Sequence, residues 1–349
     1  MQTLSTPSTV TSALFGKTPD GEAVYMHQLT NKNGMQVQVM DYGATLTAVK
    51  YPLSDTALID VVLGFDALEH YIQSYQLPSS PYFGATVGRF AGRINNGEFN
   101  LHGEQIQLTK NSNGHTLHGG NVGFSQRVWT LKNKGDGENP FVTFSLFSPE
   151  MDEGFPGDLA IELTYTLSES NEISMEYHAS TSTCTVVNLT HHSYFNLDGH
   201  QNTIADQLLF VNSDKTLEST HENIPTGRIQ KVSESPFDFR TPKNCPLQID
   251  NTFVLDKKTK LAASLFSPKN NLTLEVYTNQ PAVHIYVGGK CFHTQKGKEN
   301  TEYHTQSGIC FETQNFPDAP NHAHFPNSIL RQGETYLQRT TYKFIPTTL

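Results

Sequence analysis

From Leu159 to Leu167 the chain alternates without a break, with Leu159, Ile161, Leu163, Tyr165 and Leu167 on one side and Ala160, Glu162, Thr164 and Thr166 on the other. Successive side chains of an extended strand point to opposite faces, so this pattern suits a strand with one buried face; a helix would scatter the same residues around its axis. The period recurs in Met35-Val37-Val39, Ile173-Met175-Tyr177, Leu272-Leu274-Val276 and Val283-Ile285-Val287. Asn33-Gly34, Asn96-Gly97, Asn113-Gly114 and Asp198-Gly199 supply turn pairs between such runs, at spacings suited to hairpins. Helical periodicity is short and weak, best from about Ala67 to Tyr75, and no fixed repeat appears. These signals predict a mainly β chain, a sandwich or barrel of many antiparallel strands.

At 349 residues the chain could hold two average domains, but no composition shift marks a linker, and large β-sandwiches reach this length as one unit. A single domain over 1–349 is expected. With 36% hydrophobic and 17% charged residues, many uncharged polar groups remain for surfaces, turns and sites, as a sugar-binding cleft requires. The formal net charge is −10 and no basic cluster stands out, so neither nucleic acid nor an anionic membrane is an expected partner. A neutral or cationic ligand fits better. The stretch Met1 to Leu14 has neither the positive flank nor the apolar centre of a signal peptide, and no apolar run approaches the roughly 20 residues of a membrane helix. Cys184, Cys245, Cys291 and Cys310 are scattered, which fits reduced thiols in the cytoplasm better than a disulfide framework or a zinc site.

Five segments have compositions that strand formation does not explain. In Gly84 to Ile94 the glycines let backbone approach a neighbour closely, and Arg89 and Arg93 are four apart; packing and function are both open readings. Asn113 to Gly120 carries His118 beside Gly119-Gly120, where an imidazole can be structural or can donate into a cleft. Glu153-Gly154-Phe155-Pro156-Gly157-Asp158 reads as a shaped loop with a packing role. In Asn188 to Leu197 an extended backbone sends His191 and His192 to opposite faces, which suits general acid or base work by one better than joint metal binding. In Ile309 to Asp318, alternation puts Glu312 and Cys310 opposite Ile309 and Phe311; Glu312 is a base if that face meets a cleft and a solvated charge if it meets bulk water. His284 lies opposite Val283 and Ile285, and Asp250 precedes Asn251 to Leu255. His322-Ala323-His324 lacks the closely spaced carboxylate of common double-histidine metal motifs and sits between Pro320 and Pro326, so no metal is expected there.

Taken in order, Gly92-Arg93-Ile94, Leu117-His118-Gly119-Gly120, Gly154-Phe155-Pro156-Gly157, His192-Ser193-Tyr194-Phe195-Asn196-Leu197 and Glu312-Thr313-Gln314-Asn315-Phe316-Pro317-Asp318 resemble the aldose 1-epimerase (galactose mutarotase) family. The likeness runs from Asp41-Tyr42-Gly43-Ala44 to Arg331-Gln332-Gly333-Glu334. It implies a large antiparallel β-sandwich, the galactose mutarotase-like supersandwich, with a sugar cleft on one face. It implies an isomerase of carbohydrate metabolism that opens and closes hexoses such as glucose and galactose without a cofactor, as a monomer or homodimer. By the same resemblance His192 is the general acid, Glu312 the general base, His118 lies near the reacting end of the sugar, and Arg93 and Asp250 bind hydroxyls. His284 stands where relatives often have Gln, another sugar contact. Gly92 and His191 each replace a usual Asn, and Val287-Gly288-Gly289 a usual Thr-Gly-Asn, departures that bear on the preferred sugar rather than the reaction. Three other readings are a glycoside hydrolase or lyase using Asp250 and Glu312, a hexose 6-phosphate epimerase with Arg89 or Arg127 on the phosphate, and a non-catalytic sugar-binding module.

Overall fold

The computed structural model describes residues 8–54, 56–233, 235–256, 260–288 and 295–347. Leu159–Leu167 is a strand whose odd-numbered residues are all buried, and it lies in a nine-stranded antiparallel sheet. The N-terminal strands from Thr9–Lys17 to Ala57–Asp60 form a five-stranded meander in chain order. A six-stranded sheet runs in the order Tyr194–Phe195, Ile309–Gln314, Ala282–Val287, Ile249–Val254, Lys215–Ser219, Pro225–Lys231. The one α-helix among the described residues, Leu68–Ser74, buries Leu68, Tyr71 and Ser74 along a single stripe.

Period two in the six-stranded sheet decides what faces what. Ile309, Phe311, Val283, Ile285, Ile249 and Phe253 join Leu265, Leu274, Val276, Tyr342 and Phe344 of the nine-stranded sheet in one core cluster. The Tyr342 hydroxyl donates to the Phe311 carbonyl across the two sheets at 3.2 Å. Each such side chain contributes about 1.5–3 kcal/mol by leaving water. A one-residue slip of the Ile309–Gln314 strand would exchange Phe311 for Glu312 in that core, so burial fixes the register. Cys310, Glu312, His284, Tyr286, Asp250 and Thr252 therefore face away from the nine-stranded sheet. The pairing sets Thr252 opposite His284 and His284 opposite Glu312, a polar row across three strands.

The turn pairs divide into two kinds. Asn33-Gly34 closes a hairpin between Ala23–Thr30 and Gln36–Met40. Asn96-Gly97 and Asp198-Gly199 do not, because the strands that flank each belong to different sheets and the turn carries the chain between layers. No helix among the described residues is long and apolar enough to cross a membrane. Cys291 and Gly289 lie outside the described residues.

Candidate active site

Glu312 is 3% exposed and His192 5%, and His192 Nε2 stands 3.6 Å from Glu312 Oε1. The two side chains face each other without bonding, since a direct N–H···O hydrogen bond is normally 2.7–3.2 Å long. Glu312 is delivered by its strand. His192 is held by its backbone: its N–H donates to the Ala85 carbonyl at 3.0 Å and its carbonyl accepts from the Gly84 N–H at 2.9 Å. Its Nδ1 meets the Cys310 thiol at 3.5 Å. Its ring leans on Tyr194 and Tyr82, with centroids 5.2 and 5.8 Å away. These contacts leave Nε2 as the nitrogen presented to the cleft.

His191 points the other way, as alternation requires. Tyr165 spends its hydroxyl proton on the Ala44 carbonyl, so the 2.9 Å contact with His191 Nε2 must have the imidazole as donor. The Ser193 hydroxyl then donates to His191 Nδ1 at 3.1 Å. Burial, followed by the proximity of His192, lowers its pKa to about 3, so it is a neutral core histidine.

His118 reaches the same cleft from the opposite wall, with its ring 5.6 Å from that of His192. Its Nδ1 accepts the Gly92 N–H at 3.2 Å, which leaves the proton of the neutral ring on Nε2. Burial and then the nearby His192, Arg93 and His284 hold its pKa well below the usual value, so it is a neutral donor. Gly119 makes this approach possible: at φ +90° its backbone lies so close to Gly88 that a Cβ would stand 2.0 Å from the Gly88 carbonyl oxygen. His118, His192 and Glu312 offer one ligand atom each within 4.8 Å of one another, the set that would have to hold a metal ion if this cleft took one.

Asp250 and His284 form the adjoining side. His284 Nε2 donates to Asp250 Oδ1 at 2.9 Å, its Nδ1 meets the Thr252 hydroxyl at 2.8 Å, and Asn223 donates to Asp250 Oδ2 at 2.7 Å. Burial alone would lower the His284 pKa, but the Asp250 bond and the charges of Glu312 and Asp250 outweigh it and raise the group. Burial pushes Asp250 the other way, yet the His284 bond and the positive groups around it, Arg93 included, keep its carboxyl below the ordinary range. Arg93 sits near enough to act electrostatically on His118, Asp250, His284 and Tyr82. Of the six residues expected from the sequence, His192, Glu312, His118, His284 and Asp250 thus lie side by side, and Arg93 is within electrostatic range of three of them.

Arg89 does not join them. It is 1% exposed, and its guanidinium donates to the carbonyls of Ser148, Pro149, Pro156 and Gly157 and to the Ser148 hydroxyl, with Phe155 against its face. The Phe155-Pro156-Gly157 loop is therefore held by hydrogen bonds from Arg89, with the Phe155 ring against the guanidinium. Arg127 is paired with Asp152. Neither arginine is available to a phosphate in the cleft. Sequence spacing does not single out Tyr82, Thr252 and Asn223, because nothing in it shows that a left-handed turn or a neighbouring strand brings them beside these residues.

The sequence pattern that defines the family described as aldose 1-epimerase matches residues 25–343. Galactose mutarotase from Bos taurus is 38% identical over 346 residues, covering 96% of this chain and 98% of that protein. Aldose 1-epimerase from Haemophilus influenzae is 38% identical over 342 residues, 93% and 97% of the two chains. Among solved structures, an aldose epimerase homologue from C. elegans superposes with a TM-score of 0.85 at 34% identity, covering 92% of this chain and 98% of that one. Galactose 1-epimerase from Lactobacillus acidophilus gives 0.84 at 26% identity, covering 98% and 100%.

Proposed function

The chain belongs to the aldose 1-epimerase family, and we propose that it interconverts the α and β anomers of hexoses such as glucose and galactose, with Glu312 as base and His192 as acid. The observation that carries this is the 3.6 Å gap between His192 Nε2 and Glu312 Oε1, both side chains being buried. Mutarotation removes a proton from the C1 hydroxyl and delivers one to the ring oxygen. Both oxygens are bonded to C1, so acid and base must stand close together without quenching each other in a direct bond.

An ionised Glu312 takes the hydroxyl proton while a protonated His192 gives one to the ring oxygen. The C1–O bond of the ring breaks, the resulting aldehyde rotates about C1–C2, and the ring closes on its other face. The two residues then exchange roles and return to their starting protonation. His118 donates Nε2–H to the oxygen on C1 as it takes on carbonyl character; its Gly92 bond leaves it no other role at that atom. Arg93 and Asp250 form the hydroxyl-binding side, and His284, with both ring nitrogens bonded within the protein, orients Asp250. Asp250 accepts from His284 and Asn223 and keeps lone pairs for sugar hydroxyls. The steps are proton transfers between side chains and substrate, and we read the enzyme as a single-domain cytoplasmic protein, a monomer or homodimer, that works without a cofactor.

Polarimetry of freshly dissolved α-D-glucose and α-D-galactose tests this reading. The enzyme should speed the approach to the equilibrium rotation, and Glu312→Gln and His192→Asn should each lose at least ~100-fold in turnover while remaining folded. Absence of acceleration at saturating sugar would reject the activity, and near-normal turnover in either variant would reject the assignment of that residue.

A further inference from the structure

Tyr82 belongs to the turn that precedes the glycine-rich segment, with its carbonyl accepting the Ala85 N–H at 3.0 Å. Its φ of +53° places a bulky residue in the left-handed region, a strained conformation that persists where the surroundings enforce it. That backbone directs the ring against both imidazoles of the site, edge-on to His118 at 4.9 Å and tilted by 30° to His192 at 5.8 Å, with Tyr75 behind it at 5.4 Å. The phenol lies close enough to Arg93 to be influenced by its charge. Among the described residues it has no hydrogen-bonding partner, and the residue is half-buried. Burial pushes its pKa to about 12, with Arg93 opposing, so it carries its proton at neutral pH.

Resting on the mutarotase reading, we propose that Tyr82 is a further sugar-contacting residue, its hydroxyl donating to a hexose hydroxyl beside Arg93 and its ring forming the wall between His118 and His192. A sugar placed with C1 between His192 and Glu312 and a hydroxyl on Arg93 must lie along this wall. An unpartnered phenol there gives up nothing to bond it, whereas every nitrogen of His284 already has a protein partner.

Tyr82→Phe keeps the ring and removes only the donor. Its KM for galactose should rise about 3- to 10-fold, with a smaller change in kcat and no loss of thermal stability. Among galactoses lacking the 2-, 3- or 4-hydroxyl, the one missing the partner hydroxyl should show no difference between Tyr82→Phe and the native enzyme. Equal KM values for the two proteins on galactose, or the same penalty on every deoxy sugar, would overturn the proposal. If the native enzyme fails to accelerate mutarotation, the function reading falls first; galactose affinity by NMR titration then decides Tyr82 separately, and equal Kd values would reject it.

Discussion

Replacing Arg89 by Met tests how the buried guanidinium supports the site. Its terminal nitrogens serve four main-chain carbonyls and the hydroxyls of Ser148 and Thr185 at 2.6–3.3 Å, all in a region where Arg89 is 1% exposed. Met fills much of the same volume but donates nothing, leaving several oxygens short of a partner at ~1–3 kcal/mol each where water does not reach them. Asp152, which also accepts from the Ser148 hydroxyl, loses a neighbouring positive charge. Partial relaxation brings the expected loss to about 3–5 kcal/mol, the range for breaking a buried charged network. At ~2.1 cal/mol/K per residue, a 349-residue chain has an unfolding entropy near 0.7 kcal/mol/K, so Tm should fall by roughly 4–7 °C. The effect should also reach the cleft. The loop held by Arg89 carries Glu153, whose carboxylate accepts the Asn121 and Val122 N–H groups at 3.0 Å, just beyond His118-Gly119-Gly120. Loosening that strut should lower kcat/KM about tenfold, since small misplacements of catalytic groups are costly. Urea unfolding followed by tryptophan fluorescence, with polarimetric kinetics on the same preparation, measures both. A loss below about 1 kcal/mol would show that the guanidinium is not what holds the loop.

Two further outcomes follow from buried titratable groups. Burial, with Lys134 adding to it, lowers the His27 pKa to about 4 from the ordinary 6.5; the unfolded chain therefore binds the extra proton first, and His27 costs stability as pH falls from 6.5 toward 4. His27→Leu should make the acid side of the stability curve shallower by ~1.4 kcal/mol per pH unit between about pH 6 and 4.5, and identical slopes in urea melts would refute the assignment. Lys298 is 6% exposed and donates to Asp60 at 2.8 Å and the Val62 carbonyl at 3.0 Å. Lys298→Met should cost about 3–5 kcal/mol by stranding the Asp60 carboxylate, and adding Asp60→Asn should recover part of it; a double variant as unstable as the sum would show that the pair does not interact.

The sequence determined the strands, and through them which side chains share a face. Alternation alone separated His191 from His192 and set Cys310 and Glu312 opposite Ile309 and Phe311, because a period of two leaves each residue only two directions. The same rule could not say whether the polar side of Ile309–Gln314 met a cleft or bulk solvent, and from the residues alone His192 and Glu312 were unlinked. It was the resemblance carried by the ordered motifs that joined them to one reaction. The tertiary structure decided the rest. Hydrogen-bond partners drawn from remote segments fixed the roles of the imidazoles: Gly92 makes His118 a donor, Tyr165 makes His191 a core residue, and Thr252 with Asp250 occupies His284. The two arginines of one short segment parted in the same way, Arg89 into the interior and Arg93 toward the cleft. Local sequence sets where a side chain points along its own strand; what it meets there depends on segments up to a hundred residues or more away, and on how much water they exclude.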